Sequence, residues 1–148
     1  MKKYYKILIL PAMIIIIAGI FSGFSEQPCS KTAQNLLEQR TKILQSAYYG
    51  KIEMKVAERE LGKIETYPLL SEDLGNLKDA DPAQIDIVKS MEFLEVNQEQ
   101  KLFSFISFHM KIRWYMSGLD SDYISENEYI VVLKETRDSI KLSEFNPE

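Results

Sequence analysis

Cysteine and histidine are nearly absent from this chain. Cys29 is its only cysteine and His109 its only histidine in 148 residues. A single thiol excludes an intrachain disulfide. One thiol and one imidazole exclude a zinc centre built from several His and Cys ligands. A lone histidine also needs an orienting carboxylate to act as a general base or as the middle of a Ser-His-Asp set, and no motif around His109 supplies one. Positive charge is scarce as well. Eighteen Lys and Arg stand against 22 Asp and Glu, for a formal charge of −4. Three of those lysines, Lys2, Lys3 and Lys6, lie at the very start, so the rest of the chain is more acidic still. Nucleic-acid binding needs clustered cations to neutralise phosphates, and this balance argues against it. Repeats and low-complexity tracts are lacking. The length fits one domain, large enough to bury a core without a covalent staple.

What is present begins with an apolar run. Ile7 to Phe21 carries no charge, and with small residues admitted the run reaches Phe24. It is longer than most secretory apolar regions and barely long enough to span a bilayer. Two readings stay open. In one, residues 7–24 anchor the chain, with Lys2, Lys3 and Lys6 on the cytoplasmic side. In the other, Gly23-Phe24-Ser25 permits cleavage before Glu26 and the protein is secreted. Either way the expected division is a signal or anchor at 1–25, a linker at 26–31 and one domain at 32–146 outside the cytoplasm. Glu26-Gln27-Pro28 before Cys29 does not make a lipobox, so Cys29 reads as a free thiol.

Ser30 or Thr32 can cap a first helix running to about Tyr48, with Ala33, Leu36, Leu37, Ile43, Leu44 and Ala47 at three- and four-residue spacing. Gly50 breaks it. A second helix is expected over Lys51 to Ile64, on a stripe of Met54, Ala57, Leu61 and Ile64. Thr66 to Pro82 reads as loop, with a short helical turn near Ser71 to Leu74. The composition then turns to β. A strand is expected from Ile85 to Val96 despite mixed parity, a polar turn at Asn97 to Gln100, and one long strand from Leu102 to Met116. Along that strand the even positions are apolar save Ser104, and the period of two marks one buried face. Its length predicts a bend or bulge near Ser107 or His109. Gly118 to Asn127 reads as loop, then Glu128 to Glu135 and Ser139 to Phe145 as strands. Helices followed by strands indicate an α+β fold: an N-terminal membrane or signal helix, then two main helices on a bent four-stranded antiparallel meander sheet.

This element order, with the closing hairpin Tyr129 to Lys134 and Ile140 to Phe145, resembles the nuclear-transport-factor-two-like and cystatin-like α+β cone folds over roughly Thr32 to Phe145. The resemblance implies helices lying in the concavity of a bent sheet, and dimerisation through the outer face, as related cones commonly show. With an anchor added, the layout is also similar to bitopic scaffold subunits of conjugative secretion machines. Fold alone does not give function, since cone folds include enzymes, carriers and scaffolds.

Candidate functional residues lie along the long strand. His109, Lys111 and Arg113 share one parity and form a cationic row in an acidic domain. They suit an acidic partner or, alternatively, cross-strand pairing with Glu128, Glu135 or Asp138. Phe103 and Phe105 share that parity and point outward if the even row is buried, which marks an interface. The expected ligand or partner surface is therefore Phe103, Phe105, His109, Lys111 and Arg113. A second reading places a pocket at His109, Trp114 and Tyr115, for a small-ligand carrier or enzyme. Asp120, Asp122, Glu126 and Glu128 lack the spacing and internal glycine of a calcium loop. Asp73, Asp79 and Asp81 read as solvated. The expectation is a non-catalytic, membrane-tethered binding or scaffold domain, without metal or cofactor, whose partner is an envelope protein or a second copy of itself.

Overall fold

The computed structural model describes residues 28–148. The apolar run at 7–24 lies outside them, and with it the anchor and cleavage readings. No helix among the described residues is long and apolar enough to cross a membrane.

Three helices precede four strands. The first, α1 (Pro28–Tyr48), begins at a proline, whose missing N–H is not needed in a first turn. Its buried stripe is Ala33, Leu36, Leu37 and Leu44. Gly50, at φ +66°, makes the left-handed turn that ends it. The second, α2 (Met54–Ile64), starts three residues later than the sequence pattern predicts and buries Ala57, Leu61 and Ile64. A third, α3 (Leu69–Asp79), occupies the segment expected to be mostly loop. Only Leu69 and Asp73 of α3 are buried, so it carries no apolar stripe for a periodicity search to find.

The strands are β1 (Ile87–Leu102), β2 (Phe105–Ser117), β3 (Asp122–Glu135) and β4 (Ile140–Pro147). They pair in sequence order as an antiparallel meander. The long strand expected from Leu102 to Met116 is two strands. Leu102 pairs directly with Phe105, and Phe103-Ser104 is a two-residue turn. Such a turn puts residues three apart in sequence on one face, so the burial parity changes across it even though the apolar letters continue. Leu102 is exposed, while Ile106, Phe108, Met110 and Ile112 are fully buried. Asn97 to Gln100, expected as the turn, is instead solvated edge strand within β1. The irregularity expected on the long strand near Ser107 or His109 falls on its partner instead, where the Gln98/Gln100 shift lies across from Phe108 and Ser107. β1 carries three register shifts, at Val88/Ser90, Phe93/Glu95 and Gln98/Gln100. Each inserts a residue and flips the parity, which explains how Phe93 and Val96 both reach the helix side. The loop expected over Gly118 to Asn127 shrinks to a turn, since β3 begins at Asp122.

The helices cover one face of the sheet. There Ile106, Phe108, Met110, Ile112, Val131 and Leu133 meet Ala33, Leu36, Leu37, Ile64 and Leu69. The direction of α1 follows from two contacts. Gln45 Oε1 accepts a hydrogen bond from the Val88 N–H, in the row of Met116. Five residues earlier, the Arg40 guanidinium lies 4.9 Å from the Phe145 ring centre, in the row of Val131 and Phe108. Going towards its N-terminus, α1 therefore advances from the Ser117 end of β2 towards the Phe105 end.

Candidate functional site

On the face that no helix among the described residues covers, β2 presents Phe105, Ser107, His109, Lys111, Arg113 and Tyr115, because its alternate residues are committed to the core. Register with β1 and β3 decides what each meets. Lys111 lies across from Glu128 on β3 and Glu95 on β1, and Arg113 across from Glu126 and Glu92. Arg113 donates from Nε to Glu126 at 2.8 Å and from NH1 to Glu92 at 3.1 Å. Tyr115 donates its hydroxyl proton to the same Glu92 carboxylate at 3.1 Å. Lys111 Nζ is 3.8 Å from Glu126. The hydrogen bond from Arg113 holds Glu126 below the usual carboxylate range, and Glu126 in turn raises Arg113.

His109 Nε2 lies 2.9 Å from Glu148 and 3.3 Å from Glu128. Desolvation opposes its charged form, but the Glu128 hydrogen bond and the Glu148 charge outweigh it and move its pKa up. Glu128 also accepts the Glu148 backbone N–H through its own carbonyl at 2.9 Å, which fixes the last residue beside it. One imidazole nitrogen and two carboxylate oxygens lie within 4.8 Å of one another. They can bridge a divalent cation, but a protonated His109 satisfies both carboxylates equally well. The cationic row is thus paired across the strands. Glu128 and Glu126 serve it, whereas Glu135 pairs with Lys101 instead.

The pocket residues divide between faces. His109 and Tyr115 are on the open face. Trp114 is on the helix side, where its Nε1–H donates to the Tyr129 hydroxyl at 3.0 Å and its ring meets Tyr129 edge-on. Tyr129 stacks on Phe145 at 4.4 Å between centres.

The aromatic pair lies at one end of the open face. Phe105 is 43% exposed, and a lysine, Lys134, sits 5.5 Å from its ring centre. Phe103 is in the turn rather than on the strand, 90% exposed with φ +54°. Leu102 beside it is 63% exposed. An open groove here is lined by Leu102, Phe103, Phe105 and Val132, with Gln100, Ser107 and the acid Glu144 beside them.

The sequence reading missed a buried ionic cluster where the three helices meet β4. Arg40 on α1 makes a two-pronged bond to Asp73 on α3, with both contacts at 2.6 Å. Glu65, just past α2, is fully buried. Arg40 Nε is 3.3 Å from Glu65 Oε1, but its N–H is aimed at Asp73. Both Glu65 oxygens therefore lack a hydrogen-bond partner among the described residues. Burial first, and the Asp73 charge second, push the Glu65 pKa up to about 8, with Arg40 opposing. As a neutral acid Glu65 can donate a proton towards Asp73, which the carboxylate cannot. Tyr48, also raised by burial and by Asp73, borders the cluster. Asp73 is therefore a buried structural acid and not the solvated one expected.

No protein-family model matches this chain, and no curated protein matches it.

Proposed function

We propose that the chain is a non-catalytic extracytoplasmic domain, tethered to a membrane through residues 7–24, that works by binding at the open face of its sheet. The observation that carries this reading is the one-sided layering: helices cover one face, and the other carries a continuous strip from Phe105 to Arg113, with Phe103 beyond its end. The order of helices and antiparallel meander supports the likeness to nuclear-transport-factor-two-like and cystatin-like cones, with α3 as an added helix. The carrier or enzyme alternative gains little from the geometry. Its three pocket residues face two ways, and the helix side of β2 is filled by fully buried side chains from Ile106 to Ile112. The partner is a second copy or an envelope protein.

The test places a photoreactive maleimide at Ser107→Cys, mid-strip, in a Cys29→Ser chain on intact membranes. One discrete adduct, at twice the chain's mass or with one other protein, supports the reading. The reading also expects that adduct to fade in Lys111→Glu/Arg113→Glu while the melting temperature holds. A chain that stays monomeric under illumination contradicts it.

A further inference from the structure

Two ends of the molecule expose apolar side chains, and they differ in charge and in position. At the β2–β3 turn, Leu119 is 86% exposed and Tyr123 and Ile124 are also open. Asp86, Asp120 and Asp122 surround them, with Lys89 paired to Asp122. At the opposite end the β1–β2 turn exposes Leu102, Phe103 and Phe105. Here the charges balance: Lys101, paired with Glu135, and Lys134 flank the turn, Arg137 and Asp138 lie in the β3–β4 turn, and Glu99 precedes Lys101. The Glu135 backbone N–H donates to the Ser104 carbonyl at 2.7 Å, which binds the two turns into one end.

The direction of α1 decides which end faces the tether. Its N-terminus points to the Phe105 end, as the Gln45 and Arg40 contacts require. Only Ser25, Glu26 and Gln27 separate Phe24 from Pro28, four steps that span at most about 14 Å of extended chain. The Phe103 turn extends only about 10 Å beyond buried Ile106. The end of the domain with the exposed aromatics is therefore the end towards which α1 starts, and the proposed tether leads into it. Phe103 adds a further observation. A bulky side chain at positive φ is costly, and glycine or asparagine would fit that turn better. Such an outlier points to a function for the side chain.

We infer that the Leu102–Phe105 turn rests in the headgroup layer of the same bilayer that holds residues 7–24, with Phe103 inserted and Lys134 at headgroup level. An aromatic with flanking lysines is the composition that interfacial segments use. The contact stands the sheet upright on the membrane and leaves the strip from Ser107 to Arg113 open to a partner. It rests on the tether proposed above.

The test uses the full chain with Cys29→Ser, reconstituted into nanodiscs of phosphatidylcholine and phosphatidylglycerol. Nitroxides are attached one at a time through Ile14→Cys, Ser104→Cys and Leu119→Cys, and their collisions with oxygen and with an aqueous nickel chelate are measured. The expected result is an oxygen-rich label at 14, a fully aqueous label at 119, and a label at 104 struck by nickel several-fold less often than that at 119. Phe103→Asp raises the nickel collisions at 104 to the level at 119. A label at 104 as aqueous as 119, with 14 embedded, overturns the inference and leaves the tether standing. An aqueous label at 14 overturns both.

Discussion

Glu65, Arg40 and Asp73 each occupy a position where helical spacing calls for an apolar residue. Arg40 falls in the stripe of Leu36, Leu37 and Leu44, Asp73 lies one turn after Leu69, and Glu65 one turn after Leu61. The sequence reading took Asp73 as solvated and did not single out Arg40 or Glu65, because only the packing of three helices brings them together. A paired buried charge resists removal of one partner more than replacement of the set. Asp73→Ala should therefore lower stability by about 3 kcal/mol in denaturant titrations, since it removes both hydrogen bonds from the Arg40 guanidinium and leaves it only the poorly aimed Glu65. Glu65 gives a pH dependence. Its native pKa, about 8, lies above the unfolded value of 4.5. The folded state then holds a proton that the unfolded chain releases between those values, so stability is fullest below pH 4.5 and falls as pH rises towards 8. Arg40, Asp73 and Tyr48 are the groups facing it, with Lys141 on β4 donating to the nearby Gly62 carbonyl. Glu65→Gln, which copies the neutral acid, should flatten that decline and be more stable than the parent at pH 9. An unchanged slope between pH 5 and 8 would contradict the assignment.

Among the elements, β2 was the most legible and its boundary the least. The alternation from Ile106 to Ile112 identifies the buried face correctly, because every one of those even positions packs under a helix. The turn at Phe103-Ser104 was hidden because Phe103, at its positive-φ position, is not the Gly, Asn or Asp that such a position favours, and Ser104 alone is a weak signal. Asn97 to Gln100 looked like a turn because an edge strand with two wet sides has no apolar pattern. The same edge explains the mixed parity of β1, whose three register shifts also make it a poor template for a further strand. The turn carries its own prediction. Phe103 makes its exposed turn at φ +54° at a conformational cost that glycine avoids. Phe103→Gly should raise stability by about 1 kcal/mol, measured by urea unfolding, while removing the aromatic from the membrane end. Equal or lower stability would mean that the side chain supports the fold instead.

For the whole molecule, composition indicated an acidic single domain behind an apolar segment, and element order indicated helices on an antiparallel meander. The sequence could not show to which end of the sheet the start of α1 points, because the direction of α1 depends on long-range contacts such as Gln45 with Val88 and Arg40 with Phe145. Nor could it show that the cationic row is answered by Glu126, Glu128 and Glu148, since that depends on strand register and on where β4 ends. The resulting molecule is polar in two senses. One end, to which the start of α1 points, is aromatic with balanced charge; the other is apolar and acidic. Everything in the functional reading depends on the segment 7–24 staying attached and holding the domain at a membrane. Washing membranes in alkaline carbonate and sequencing the N-terminus of the retained chain tests this most directly. Full-length protein kept in the pellet is the predicted result; complete release into the wash, with Glu26 as the new first residue, would contradict it.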